Sequence, residues 1–270
     1  MSACSVLYGS DGLADGRSDS SAPDASGLPA NAEAGVTPDG APGPPPVDGG
    51  TPCDGGHLFC DDFEHDSLTA QFSTLALNGG TMAIDTSASR SGTRSLRVSV
   101  VGTMGPATFG PTLEKTFTDA AGTITVSFWM RRDAYEADQQ VSPFLLIGEL
   151  ADGRKEIISL LLAPDLAKIE YATVLSDSTR DYNAINGNAF APPKGEWVHV
   201  QIVTRLSGSD PIVEAFANGT LIASAALTLA LPLSALTKLT LSVGAETVQW
   251  GVDPTPWVLR IDDVVVDVEN

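Results

Sequence analysis

Two segments of the chain place a tryptophan among polar side chains at alternating positions. In TITVSFWMRR, strand alternation separates Ile124, Val126, Phe128 and Met130 from Thr125, Ser127, Trp129 and Arg131. In EWVHVQIVTRL, it separates Val198, Val200, Ile202 and Leu206 from Trp197, His199, Gln201 and Arg205.

A flat indole ring stacks on a sugar ring, and polar neighbours bind the sugar hydroxyl groups. The pattern therefore predicts a carbohydrate-binding surface on one face of a sheet. Its candidate residues are Trp129, Arg131, Trp197, His199, Gln201 and Arg205. The alternative is that a loop crossing the sheet covers both tryptophans.

The cysteines form one close pair and one isolated residue. Cys53 and Cys60 enclose the glycine-containing segment CDGGHLFC, which favours a disulfide and therefore an oxidising compartment. A zinc half-site is the competing interpretation, but the sequence has no second cysteine pair and its histidines lack ligand spacing. Cys4 is then left unpaired.

The N-terminal segment has the composition of a chain that does not fold. Residues 5–52 are mostly Ser, Ala, Gly, Pro and Asp, and Tyr8 is their only aromatic residue. Such a segment buries too little apolar surface to offset its conformational entropy. We predict a disordered tether over residues 1–52 and one domain over residues 53–270. The alternative is an extension without a role.

The elements that must position these side chains are short strands. After Cys60 the chain consists of runs rich in Val, Ile, Leu, Thr and Phe, separated by Gly, Pro, Asn and Asp. Many short strands with turn signals between them predict an all-β sandwich or barrel. ANGT, at residues 217–220, predicts a tight hairpin turn.

The charge of the chain excludes some partners. A formal net charge of −19 argues against nucleic acid, because the phosphates would be repelled. It also disfavours direct adsorption on anionic lipid, so membrane attachment would have to come through a lipid at Cys4. No apolar run reaches the roughly 18 residues that a membrane-spanning helix needs.

Three segments resemble a known superfamily when they are taken in order. TITVSFWMRR, GEWVHVQIVTRLSGSDPIVEAFANGTLI and IDDVVV are similar to the concanavalin A-like lectin/glucanase superfamily, and within it to laminin G-like modules. The resemblance implies a jelly roll: two packed antiparallel β-sheets, one of them concave.

Many enzymes of this superfamily carry a Glu-x-Asp-x-x-Glu motif, which this chain lacks. Its nearest acids, Glu149, Asp152 and Glu156, flank an Asp-Gly turn, and we expect them to be solvated loop residues. The superfamily's lyases need a basic and tyrosine-bearing set, but Lys168 and Tyr171 differ in strand parity and should face opposite ways. We therefore expect no catalysis.

The resemblance also implies a structural calcium ion where the first strand meets the last. The matching positions are Glu64 in DDFE, Gly92 in SRSGTRS and Asp263 in IDDV. Oxygen ligands drawn from both chain ends suit Ca²⁺. The alternative is that these acids are exposed residues at strand ends.

MSAC resembles the end of a bacterial lipobox, with Met1 in the leucine position, which implies lipidation at Cys4. Together these features predict an exported bacterial lipoprotein on the outer surface or in the periplasm. Its domain would be a noncatalytic, surface-tethered, lectin-like module that binds a polysaccharide, a surface glycan or another extracellular partner. The alternatives are a glycanase or polysaccharide lyase of the same fold, and a structural or protein-adhesion module without a sugar site.

Overall fold

A computed structural model describes most of the chain after the N-terminal segment. The described residues are 52–100, 110–118, 122–134, 140–163, 165–174, 180–184, 189–205, 211–227, 236–247 and 256–269. They form fifteen β-strands and one short 3₁₀ turn, Pro52–Asp54. Within these ranges, no helix has the length and apolar character needed to cross a membrane.

The first sheet has eight strands, ordered β13-β12-β11-β6-β15-β4-β3 with β1 beside β15. Their bounds are Phe59–Asp61 (β1), Gly80–Asp85 (β3), Ser95–Val100 (β4), Thr123–Ala134 (β6), Trp197–Arg205 (β11), Ile212–Ala217 (β12), Thr220–Ala226 (β13) and Trp257–Glu269 (β15).

The second sheet has seven strands, ordered β10-β9-β8-β7-β14-β5-β2. Their bounds are Thr74–Ala76 (β2), Thr112–Phe117 (β5), Val141–Leu150 (β7), Lys155–Leu162 (β8), Ala167–Val174 (β9), Arg180–Ala184 (β10) and Leu236–Thr247 (β14). Paired strands in both sheets run antiparallel. The predicted fold, an all-β two-sheet sandwich of the jelly-roll type, is confirmed.

The apolar sides of the strands fill the space between the sheets. The predicted inward residues of β6, Ile124, Val126, Phe128 and Met130, are buried, and so are Val198, Val200 and Ile202 of β11. Leu206, the fourth predicted inward residue of the β11 segment, lies outside the described residues. For β6 and β11, alternation alone therefore predicted which side chains pack into the core.

The last strand, β15, has two partners along one edge. Its first half, Trp257–Ile261, pairs with β4, and Val264–Val266 pair with β1. The change occurs at a register shift between Asp262 and Val265, where Asp263 has a left-handed backbone with φ of 52°. Such a bulge inserts one residue and reverses which side chains face the core. It puts Asp262 and Asp263 at the junction of the two chain ends.

The predicted disulfide between Cys53 and Cys60 is present, with the two Cα atoms 5.4 Å apart. The loop that it closes also contacts the last strand, because His57 Nδ1 lies 2.8 Å from Asp267 Oδ1. The disulfide-closed loop thus places the first segment of the domain beside its last strand. The predicted tether, with Cys4, lies outside the described residues.

The predicted turn at ANGT joins β12 to β13, and Asn218 and Gly219 both have positive φ angles, of 49° and 77°. A hairpin with two central residues in this conformation is the expected form for Asn-Gly.

The interpretation of Glu156 as a solvated loop residue was wrong. The Asp-Gly turn ends so soon that Glu156 already belongs to β8, on the same side as the buried Ile158. It is 8% exposed, and its carboxylate accepts hydrogen bonds from the hydroxyl groups of Tyr171 and Thr173. A buried carboxylate needs such donors, and two side chains of β9 supply them.

Candidate functional site

The structure brings the six candidate residues of the predicted carbohydrate surface to one face. Across β6 and β11, Trp197 lies opposite Arg131 and His199 lies opposite Trp129. Further along, Gln201 lies opposite Ser127 and Arg205 opposite Thr123. Because the side chains that alternate with this set on both strands are buried, the set lies on the outward face of the eight-stranded sheet.

Trp129 is not an open stacking platform. The guanidinium carbon of Arg90 lies 4.2 Å from the centroid of its ring, and the ring of His199 lies 5.1 Å from it, tilted by 56°. Arg90 belongs to the loop between β3 and β4, so a loop does cross the sheet at this tryptophan. Arg90 therefore takes one ring face by a cation–π contact, and only part of the indole is exposed.

The Arg90 loop is held in place by Asp262 of β15, which lies opposite Trp129 in the register. The backbone N–H groups of Arg90 and Ser91 donate to Asp262 Oδ2 at 2.7 and 3.4 Å. Burial raises the pKa of the fully buried Asp262 to about 8, against the effect of these donors. This buried carboxyl links the last strand to the loop that covers Trp129.

Trp197, Arg131 and Gln201 are each partly exposed. His199 is buried, and this burial, followed by the charge of Arg90, lowers the pKa of His199, so its ring is neutral at pH 7. Arg205 is held by Glu214 of β12 through a 2.6 Å ion pair. Among the described residues, no aromatic ring or cation packs against Trp197, in contrast to Trp129.

Sequence reasoning missed three charged residues that adjoin this end. Arg260 of β15 lies opposite Arg131 of β6 on one side and opposite Arg97 of β4 on the other. Asp133 accepts from the Nε atoms of Arg131 and Arg260 at 2.7 and 2.6 Å. Arg97 in RSLRVSV and Arg260 in WVLRIDD alternate with apolar residues, and this pattern indicates that both face away from the core. The strand order that makes them neighbours cannot be predicted from either segment.

The predicted calcium ligands also converge. Glu64 accepts the N–H groups of Thr93 and Arg94, each at 2.7 Å, and these bonds outweigh burial and lower the pKa of Glu64. Gly92 has φ of 53°, and a Cβ atom there would overlap Glu64 Oε1. A glycine is therefore required where this loop passes the Glu64 carboxylate.

Asp263 lies close enough to Glu64 and Asp62 for their charges to affect it. Burial, with the charges of Asp62 and Glu64, raises the pKa of Asp263. In the described part of the chain, no three His, Cys, Asp or Glu side chains are arranged as a metal site by themselves. A cation here would need Glu64 and Asp263 together with backbone oxygens, a ligand set that is typical of Ca²⁺. The crowding of carboxylates fits such an ion.

The possible lyase residues do not meet. Tyr171 is fully buried between the sheets, whereas Lys168 lies on the outward face of the seven-stranded sheet and pairs with Glu170 at 3.2 Å. The predicted opposition of these two side chains is thus observed.

We predict that Trp129→Ala destabilises the domain more than Trp197→Ala does. Trp129 packs between Arg90 and His199, so its removal should cost about 3 kcal/mol, the low end for deleting a buried aromatic ring. Trp197 is the first residue of β11 and should cost clearly less. Urea denaturation of both variants measures the difference, and equal losses would contradict this assignment of the two rings.

Comparison with known proteins agrees with the observed fold. The family model of the concanavalin A-like lectin/glucanase superfamily matches residues 105–266, and no curated protein sequence matches the chain. The cellulose-induced protein Cip1 is similar in structure, with a TM-score of 0.52 and 16% identity, covering 78% of this chain and 97% of Cip1.

Two enzymes show the same fold at low identity. The alginate lyase Aly36B has a TM-score of 0.52 and 13% identity, covering 75% of this chain and 91% of the lyase. A laminarinase from Flavobacterium sp. UMI-01 has a TM-score of 0.50 and 9% identity, covering 78% of this chain and 99% of the enzyme. With its jelly-roll topology and the match of the family model, the chain belongs to the concanavalin A-like lectin/glucanase superfamily.

Proposed function

We propose that this protein is a noncatalytic carbohydrate-binding module that is exported and tethered to a cell surface. The observation that carries the proposal is the position of Trp197, which is partly exposed and adjoins Arg131 on an outward sheet face. An aromatic ring beside unburied polar groups is the arrangement that recognises a sugar. The names of the structural neighbours, two of them polysaccharide-degrading enzymes, support a glycan as the ligand class.

The separation of Lys168 from Tyr171 supports a binding role over lyase chemistry. The acids of GELADGRKE are also separated, because Glu156 is buried and Asp152 is exposed in the turn. A general acid and its partner carboxylate must both reach one substrate bond. Glu156 instead satisfies the hydroxyl groups of Tyr171 and Thr173 inside the sandwich.

We predict that the domain binds at least one oligosaccharide of a polysaccharide panel without degrading it. Trp197→Ala should weaken this binding by about 1–3 kcal/mol through loss of stacking contact and apolar burial. Isothermal titration calorimetry measures the loss. Leu77→Ala is the matched control, because it removes an exposed apolar side chain elsewhere on the domain.

Two results would contradict this function. Release of reducing ends or unsaturated uronates at a catalytic rate would show an enzyme of the same fold. Absence of binding across the whole panel, with specific capture of a purified extracellular protein, would favour an adhesion module.

We also propose a structural calcium ion held by Glu64, Asp263 and a backbone oxygen near Gly92. Chelation should lower the melting temperature, because an ion that binds only the folded state stabilises it by mass action. Glu64→Ala and Asp263→Ala should each remove this sensitivity to chelator. An unchanged response in both variants, measured by differential scanning fluorimetry, would eliminate these ligands.

The surface tether is proposed from the sequence, and the disulfide supports export because it requires an oxidising compartment. We expect the protein, expressed behind a bacterial lipoprotein signal peptide, to incorporate labelled fatty acid at Cys4. Cys4→Ser should remove the label and release the protein into the aqueous phase of a detergent partition. Labelling that persists in Cys4→Ser would contradict lipidation at this residue.

A further inference from the structure

Four side chains form a continuous row across the eight-stranded sheet. Trp197 of β11 lies opposite Arg131 of β6, which lies opposite Arg260 of β15, which lies opposite Arg97 of β4. Neighbouring strands are about 4.8 Å apart, so the row spans about 14 Å at right angles to the strands. We call Arg131, Arg260 and Arg97 the arginine row.

Two carboxylates lie between the three arginines. Asp133 joins Arg131 to Arg260 as described above, and Asp85 Oδ2 lies 3.4 Å from Arg260 Nη1 and 3.8 Å from Arg97 Nε. Hydrogen bonds from Ser87 and then Arg260 lower the pKa of Asp85, so it is ionised at pH 7. Three guanidinium groups thus share two negative charges, which leaves one net positive charge.

The central arginine is buried, whereas the two outer arginines are partly exposed to solvent. Arg260 is 6% exposed and is held by Asp133, by Asp85 and by Ser87 Oγ at 2.7 Å. The side chains of Arg131 and Arg97 are 29% and 38% exposed, and each approaches an aspartate through Nε. Among the described residues, no acceptor occupies their Nη groups.

The net charge of the arginine row is opposite in sign to the net charge of the whole chain. The chain carries a formal net charge of −19, so an anion approaching most of its surface is repelled. On this face, Arg90 lies over Trp129, near the row, although the neighbouring Asp263 faces its charge. An arrangement that needed only to hold the strands together would not require two partly exposed outer arginines whose Nη donors meet no acceptor among the described residues.

We infer that the arginine row and Trp197 bind an acidic polysaccharide, one that carries carboxylate or sulfate groups. A sugar ring stacks on Trp197, and anionic groups along the glycan accept hydrogen bonds from Arg131 and Arg97. The planar guanidinium group presents paired N–H donors that match both kinds of anion. Arg260 positions the two aspartates that orient the outer arginines. The inference rests on the proposed carbohydrate-binding function and names its ligand class.

The test uses the full chain and three probes: alginate oligosaccharide for carboxylate, dextran sulfate for sulfate, and a laminarin oligosaccharide as the neutral glycan. We expect one or both acidic probes to bind, and binding to weaken as salt rises because charged contacts are screened. Arg97→Gln and Arg131→Gln should each weaken binding about tenfold, the effect of losing one charged hydrogen bond. Each change leaves its aspartate paired with Arg260.

Lys238→Gln is the matched control. It removes one positive charge from the other sheet, where Lys238 is exposed beside Glu149, and it should bind the acidic probes as the parent does. Should Arg131→Gln fail to fold, Arg131→Lys keeps the charge but loses the paired donors, and its acidic-probe affinity should also fall.

The outcomes separate the inference from the proposed function. Binding of the laminarin oligosaccharide alone would overturn the acidic ligand, and acidic binding unchanged in both arginine variants would overturn the arginine row as its site. Either result would still leave a carbohydrate-binding module. Failure of a broad panel of neutral and acidic glycans to bind would overturn both. Equal losses in Lys238→Gln would show a general charge effect and would also overturn the site.

Discussion

The position of β15 between β6, β4 and β1 is the constraint on which the rest of the structure depends. This strand joins the two chain ends, because one of its edges is shared by β4 and, beyond the bulge, by β1. Its inward residues Trp257, Leu259 and Ile261 are fully buried. Its outward side carries Arg260 and Asp262, two buried charged residues of a kind that is unusual in a central strand.

Two residues of β15 make the contacts that connect the strands and the loop on that outward face. Asp262 accepts the backbone of the Arg90 loop and so determines that Trp129 is covered. Two residues earlier, Arg260 contacts Asp133 and Asp85, the carboxylates that also lie beside Arg131 and Arg97. One strand thereby places the Arg90 loop beside Trp129 and the arginine row beside Trp197.

Local pattern predicted much of the fold, because it depends on alternation and turn chemistry. The inward faces of β6 and β11, the Asn218-Gly219 turn and the Cys53–Cys60 disulfide could all be read from short segments.

The candidate site was predicted only in part, because it depends on contacts between distant segments. Trp129 and His199 were assigned to the correct face, but Arg90 reaches that face from a loop whose position is set by Asp262. Arg97 and Arg260 are neighbours only because β4 pairs with the last strand, and single-sequence alternation carries no strand order. Glu156 was misplaced for a local reason, since the preceding turn is shorter than expected.

The central claim is that the outward face of the eight-stranded sheet binds the glycan. Nuclear magnetic resonance mapping of the domain, titrated with alginate oligosaccharide, tests it most directly. We predict that the indole N–H signal of Trp197 and the guanidinium signals of Arg131 and Arg97 shift together and saturate with one dissociation constant. Shifts confined to the outward face of the seven-stranded sheet, around Lys238 and Glu149, would contradict the claim.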